Sequence, residues 1–367
     1  MESTRAAIFG AGAMGGTLGA LIIKSGGIID LYSRNKRHVS AVRKNGLTQR
    51  CDFDGIEWNI DAKDRIFFPE EMQRRCAERG KYHVIFLMTK QRENEKTALF
   101  LRDFLADDGI VVTTQNGLPE KQLAEVLGKD RVFGCVCSFG ANFLGDGVCV
   151  LTSSLLSAKV CFGAYAAREG RSKESEKYLL SATRVKSLLS PVCNVTGGEF
   201  YRETENLSGV RYAKLVLNAA FSGLSAATGM TFGEIANNRK GKKIALAAMR
   251  EAVAVAEAKG VRIDRIQGRD VVALLQKKRG LFGKIKEVVL LAVMPRFVKT
   301  HRRSISGMLT DIRRGRKCEI DLITGAVSRE GAECGVCTPV CDTITQIVEG
   351  IENGLYELTP KNVDFFL

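Results

Sequence analysis

Residues 5–32 read RAAIFGAGAMGGTLGALIIKSGGIIDLY, and this stretch decides the fold. Arg5–Phe9 reads as a short apolar strand running straight into Gly10-Ala11-Gly12-Ala13-Met14-Gly15-Gly16. A helix-like run follows to about Lys24, Gly26-Gly27 stops it, and Ile28–Tyr32 makes a second strand. Strand, glycine-rich turn, helix and strand in so short a span are a βαβ unit. Within it Gly10, Gly12 and Gly15 take the GxGxxG spacing. Gly10 is expected to allow the tight turn, Gly12 to let backbone amides approach a pyrophosphate, and Gly15 to let the helix pack on the strand. Gly12, Ala13 and Met14 then open a helix whose unsatisfied N–H groups suit phosphates. A purely structural glycine turn is the competing reading.

The end of the second strand selects the cofactor. An acid there holds the ribose hydroxyls of NAD, whereas arginine accommodates the 2′-phosphate of NADP. Here the strand ends Leu31-Tyr32-Ser33-Arg34, followed by Lys36 and Arg37, and the nearby acid, Asp30, falls inside the strand. Ser33 and Arg34 are expected to bind the 2′-phosphate, which makes NADPH the expected cofactor; a solvated basic loop is the alternative.

Further strands are predicted at His83–Met88, Gly109–Thr113, Val132–Cys137, Val148–Thr152 and Lys159–Phe162, the earlier ones separated by helical stretches. That alternation predicts an α/β fold, an N-terminal Rossmann-type doubly wound sheet. The last group, Val148 to Gly163, is expected to turn antiparallel at the sheet edge. From about Asn206 helical patterns dominate (Val210–Thr228, Gly241–Lys259, Arg269–Lys278 and Cys318–Gly335), predicting an all-helical C-terminal domain. The expected division is 1–199 for the cofactor domain and 200–367 for the substrate domain, with a boundary near Gly197-Gly198.

The chain has 367 residues, 45% hydrophobic and 26% charged, a composition of ordinary globular domains and long enough for two. Six prolines and no biased tract argue against a disordered arm. The N-terminus lacks a signal-peptide layout and no run suits a membrane span, so the expectation is a cytoplasmic, soluble protein. A net charge of +14 suits an acidic small molecule and a phosphate-bearing cofactor, and also permits nucleic acid or anionic lipid. No nucleic-acid-binding signature accompanies the charge, and nucleic acid is not expected as a partner. Among eleven cysteines, Cys334, Cys337 and Cys341 form a CxxC followed by a third Cys. With three scattered histidines and no second ligand cluster, these are read as core or surface thiols and no metal is expected.

Four further segments carry chemistry. Thr89-Lys90 and Asn116-Gly117 follow strands, where ligands bind in open α/β sheets. Lys214 and Asn218 sit four apart in RYAKLVLNAAFSG, on one helix face. SISGMLTDIRRGRKCEID brings Ser306, Asp311, Glu319 and Asp321 toward a helix start. A ketone reductase needs an acid for the forming alkoxide, and a lysine in an apolar helix face can supply it, because burial lowers its pKa.

Taken together these segments resemble the ketopantoate reductase family, 2-dehydropantoate 2-reductase, over nearly the whole chain. The resemblance rests on GAGAMG, the Ser-Arg pair, Asn45-Gly46-Leu47, TK at Lys90, QNG at Asn116, K-L-x-x-N at Lys214 and Asn218, and the spacing of GMLTDIRRGRKCEID. It implies a two-domain reductase of a small 2-oxo acid with its active site in the interdomain cleft. Lys214 would be the general acid, and Glu319 would bind the substrate hydroxyl near that lysine. Asn116 would bridge nicotinamide and substrate, Lys90 would lie on the cofactor side, and Asn218 would help hold the substrate.

Some positions depart from the family pattern. Gly307 stands where the family has a serine, with Ser306 as a substitute; Ser222, Thr324 and Phe139 replace two asparagines and a histidine. Such losses cost roughly 1–3 kcal/mol each when a buried donor disappears, enough to favour another 2-oxo acid. The basic, apolar insert around 278–303 is read as a packing or lid helix, a dimer contact, or a membrane-surface helix. The rival outside enzymology is a noncatalytic NADPH-binding regulator.

Overall fold

A computed structural model describes residues 4–165, 176–266, 268–276 and 280–366. It divides into two compact units, 1–115 with 119–207, and 116–118 with 208–367.

The first unit has twelve strands among its described residues: β1 (Ala6–Phe9), β2 (Asp30–Tyr32), β3 (Leu47–Cys51), β4 (Ile56–Ile60), β5 (Ile66–Phe67), β6 (Tyr82–Leu87), β7 (Leu105–Thr113), β8 (Val132–Cys137), β9 (Ala141–Gly145), β10 (Val148–Leu151), β11 (Val160–Ala164) and β12 (Tyr201–Glu203). Eight form the main sheet in the order β12-β11-β8-β7-β6-β1-β2-β5. Every pairing is parallel except β8 with β11. Its helices are α1 (Ala13–Lys24), α2 (Lys36–Asn45), α3 (Met72–Arg79), α4 (Asn94–Arg102), α5 (Glu120–Leu127), α6 (Glu176–Leu189) and α7 (Cys193–Thr196).

Side-chain alternation builds one core on each face of that sheet. Ala6 and Ile8 join Val84 and Phe86 beneath α1 and α6, whereas Ala7 and Phe9 join Ile85 and Leu87 against α3, α4 and α5. The strands are buried on both sides and hence read as continuous apolar runs such as HVIFLM.

The strand group expected at the sheet edge divides differently. β11 does turn antiparallel, against β8, but β10 leaves the main sheet. It pairs parallel with β3 and antiparallel with β9, in a second sheet of order β4-β3-β10-β9. The β3–β4 hairpin, inserted between β2 and β5, interrupts the expected strand–helix alternation. β12 adds a parallel edge strand beyond residue 199, where the domain boundary is expected, and the units change over between Leu207 and Ser208.

The second unit contains α8 (Leu207–Leu217), α9 (Gly223–Thr228), α10 (Phe232–Asn237), α11 (Arg239–Ala258), α12 (Val271–Leu275), α13 (Gly280–Phe297), α14 (Gly307–Arg313), α15 (Ile320–Cys334) and α16 (Pro339–Glu352). The helix expected over Val210–Thr228 contains a π-helical turn at Asn218–Ser222. The one expected over Arg269–Lys278 shortens to α12, and 277–279, with the start of the basic insert, lie outside the described residues. Glu251 on α11 accepts from the N–H groups of Val340 and Cys341 at 2.9 and 2.8 Å, capping α16 from another helix.

A buried base lies against the glycine turn. His38 on α2 is 1% exposed and packs edge-on to Phe143 at 4.9 Å. Burial pushes its imidazole pKa below the usual 6.5, against the weaker opposing pull of the Ala11 backbone and Asp146. The unfolded chain takes up a proton near pH 6.5 and the folded chain resists it. Stability is therefore unaffected well above that pH and falls as the pH drops from 6.5 toward the lower folded-state value. We predict that thermal melts decline between neutral and mildly acid pH and that His38→Gln flattens the slope. An unchanged slope in the variant would exclude His38 as its source.

Candidate functional site

Three glycines of the turn after β1 are fixed by the fold and one is not. Gly10 adopts φ +107°, and a Cβ there would lie 2.7 Å from the backbone of Met88 and Thr89. A Cβ on Gly15 would collide with the Gly10 carbonyl oxygen and crowd Ile8, and one on Gly16 would press on the Cys149 thiol. The N–H groups of Gly10 and Ala11 both donate to the Tyr32 carbonyl, at 3.0 and 2.8 Å, pinning the turn to the end of β2.

Gly12 differs. An added Cβ would meet nothing within 4 Å and the residue's φ of −93° is ordinary, but its ψ of −142° lies outside the main β and αR regions. Packing therefore supplies no reason for glycine at 12 beyond this backbone angle, and an external group closing on the backbone supplies a further one. Gly12 is also the N-cap of α1, which has no side-chain cap and no acid in its first turn. The residues fit a phosphate-bearing dinucleotide on this observation, since the first-turn N–H groups attract an anion.

The end of β2 separates acid from base. Asp30 is buried at the start of the strand, where it accepts from Tyr82 (2.6 Å), Arg75 (3.1 Å) and Arg5 (3.3 Å). A carboxylate matched to two guanidiniums has its charge satisfied at the amino end of the sheet. At the carboxyl end Ser33 is buried and accepts from the Asn35 N–H at 3.3 Å. Arg34 is exposed and pairs loosely with Glu93 (3.3 Å), which brings the loop after β2 beside the loop after β6 that carries Lys90.

Sequence reading missed the pair that fixes this second loop. Gln115 and Asn94, both buried, exchange reciprocal amide hydrogen bonds of 2.7 and 3.1 Å. Gln115 also donates to the Thr89 carbonyl at 2.8 Å. The end of β7 thereby holds Thr89 next to Gly10, and Asn116, exposed, follows directly. The available signal was the glutamine of TTQNG.

In the second unit Lys214 and Asn218 are half-buried, while Tyr212, Ala213, Leu215 and Val216 around the lysine are buried. Asn218 opens the π-helical turn, and half-buried Ser222 closes it. Thr324 is fully buried on α15, with its hydroxyl 3.4 Å from the Ala219 carbonyl inside that turn. The Thr324 side chain thus serves the helix backbone. Glu319 is half-buried at the N-cap position of α15, and the loop before it is tied by the Cys318 N–H to Glu352 at 2.6 Å.

Ser306 is buried and accepts from the Leu309 N–H at 3.0 Å as the N-cap of α14. Gly307 is the exposed neighbour, and a Cβ there would meet nothing within 4 Å. Phe139 is buried against Phe200. Among the described residues no three His, Cys, Asp or Glu side chains converge as metal ligands.

A mainly parallel sheet whose first strand enters a glycine turn and an uncapped helix defines a Rossmann-type dinucleotide fold, here followed by a helical unit. The family model for ketopantoate reductase PanE/ApbA matches residues 6–166, and that for its C-terminal part matches 206–352. The chain belongs to the ketopantoate reductase family, a family of oxidoreductases. The 2-dehydropantoate 2-reductase of Lactococcus lactis subsp. lactis is 24% identical over 349 residues, 95% of this chain and 98% of that relative. The fold is shared with a D-mandelate dehydrogenase solved with NADH and anilino(oxo)acetate (TM-score 0.74, 23% identity, 96% and 99% of the two chains). It is shared as well with a PanE/ApbA family ketopantoate reductase from Ralstonia eutropha JMP134 (TM-score 0.72, 22% identity, 96% and 99%).

The glycines separate by experiment. Gly12→Ala should cost less thermal stability than Gly15→Ala yet weaken dinucleotide binding by roughly tenfold or more, because the new side chain occupies open space. Gly15→Ala should cost about 1–3 kcal/mol of folding stability through overpacking. Equal loss of stability in both variants would remove the distinction.

Proposed function

We propose that the chain reduces a small 2-oxo acid to its 2-hydroxy acid with NADPH, ketopantoate to pantoate being the first candidate. The observation that carries the reading is Lys214, half-buried on a helix whose neighbouring side chains are buried and apolar. A lysine there has lost part of its hydration, and a proton donor is the use a reductase has for it.

Bound NADPH supplies the hydride. Lys214 donates the proton taken up by the forming alkoxide, and before that its charge polarises the ketone. Glu319 binds the substrate hydroxyl and favours the charged lysine, while Asn116 and Asn218 orient the substrate. Gly10, Gly12, Ala13, Met14 and Gly15 cradle the pyrophosphate; Ser33 and Arg34 take the 2′-phosphate, with Lys90 on the cofactor side. NADPH is preferred over NADH because the one acid of β2, Asp30, lies at its amino end, engaged with Arg5, Arg75 and Tyr82, whereas Ser33 and Arg34 follow its carboxyl end.

A second reading keeps the chemistry and changes the acid. The open, side-chain-free position at Gly307 and the capping duty of Ser306 favour a 2-oxo acid held differently at its carboxylate end. The likeness to a D-mandelate dehydrogenase supports such breadth within one fold.

NADPH oxidation, followed by ultraviolet absorbance against ketopantoate and a panel of other 2-oxo acids, tests both readings. Lys214→Ala should lose roughly a hundredfold or more in turnover while NADPH affinity is kept. Arg34→Ala should weaken NADPH by roughly tenfold with little effect on NADH. Gly307→Ser should raise kcat/KM for ketopantoate relative to the rest of the panel if ketopantoate is the wrong size for the native cage. Silence across the panel, with NADPH bound tightly, would overturn the reductase and leave the regulator.

A further inference from the structure

Helix α13 is apolar on both sides. Leu290 and Met294 are buried in the core of the helical unit, and so is Val298 just beyond. On the other side Phe282 is 82% exposed and Val288 66%, with Ile285 and Val289 more than half exposed. At about 100° per residue, Phe282, Ile285, Val289 and Ala292 make one stripe that ends on Arg296, with Val288 beside it and Lys284 on its flank. A contiguous apolar stripe of this kind marks a contact, whereas scattered single residues do not.

The charge around the stripe says what covers it. Between 280 and 303 the chain carries Lys284, Lys286, Arg296, Lys299, Arg302 and Arg303 against a single acid, Glu287, which is paired with Arg250 at 3.2 Å. A second copy of the chain would bring two cationic surfaces face to face, at an electrostatic cost. An anionic lipid surface offers the complement to both features, negative headgroups for the cations and an acyl boundary for the apolar stripe. No helix among the described residues is long and apolar enough to cross a membrane, and α13 keeps one side in the protein core, so it would lie flat.

We propose that the exposed face of α13 docks the protein reversibly on an anionic membrane surface, with Phe282, Ile285 and Val288 at the acyl boundary and Lys284 and Arg296 among the headgroups. This is independent of the oxo acid reduced.

The test is sedimentation of the full chain with vesicles of phosphatidylcholine alone and of equal parts phosphatidylcholine and phosphatidylglycerol. We expect retention on the mixed vesicles, none on the neutral ones, and roughly tenfold weakening at high salt. The double variant Phe282→Ser/Val288→Ser should weaken retention by roughly tenfold or more, with melting temperature and NADPH binding unchanged. Lys284→Glu/Arg296→Glu, which alters only exposed charge, serves the same end if the first variant misfolds. No retention, equal retention on both vesicles, or a concentration-dependent dimer dissolved by these substitutions would overturn the proposal.

Discussion

The contact between Gly15 and the Gly10 carbonyl is the constraint on which the first unit depends. Because neither residue carries a Cβ, α1 can start directly behind β1 and lie against Ile8. From there α1 buries Leu18, Leu21 and Ile22 in the core that also takes Val84 and Phe86. The same turn accepts no side chain from Gly10 because the backbone of Met88 and Thr89 occupies that space. One close approach thus sets the helix, the neighbouring loop and the open ground beside Gly12 together. Family membership follows from the sequence as a whole, but the physical reason the turn tolerates no elaboration is local.

Around that turn the charges are sorted along the strands. Asp30, with Arg5 and Arg75, closes an ion cluster at the amino ends, and Tyr82, its phenol pKa raised by burial and then by Asp30, remains a hydrogen-bond donor to the carboxylate. Breaking such a cluster is costly because it strands partly buried guanidiniums. At the carboxyl end follow Ser33 and Arg34, the latter exposed and paired with Glu93. A buried ion cluster and an exposed basic loop thus sit at opposite ends of one three-residue strand.

What was legible in the sequence was whatever is enforced locally. RAAIFGAGAMGG specifies strand, turn and helix by sterics within a dozen residues, and HVIFLM reads as a strand because both its faces are covered. The β3–β4 hairpin was not legible: LTQRC and IEWNI mix polar and apolar residues, and LTQRC pairs on its other side with β10, about a hundred residues away, which no local pattern encodes. The π-helical turn at Asn218–Ser222 escaped for the same reason, since its displaced carbonyl is met by Thr324 from another helix. The resemblance put Ser306 at the substrate and marked Thr324 as a replaced asparagine, yet the fold employs both hydroxyls on backbone groups. Gln115, quoted within a motif, was passed over because its partner Asn94 lies on a different loop.

The second sheet also touches the glycine turn. Cys149, on β10, sits with its sulfur 3.6 Å from the Gly12 carbonyl and directly against Gly16. Burial raises its thiol pKa to about 12, so the thiolate that would react is scarcely populated at neutral pH. Of the chain's eleven cysteines, the one against the glycine turn is thus buried and held as the thiol. Reagents that titrate accessible sulfhydryls would register Cys193 and Cys337, far from the turn in sequence, and pass Cys149 in silence.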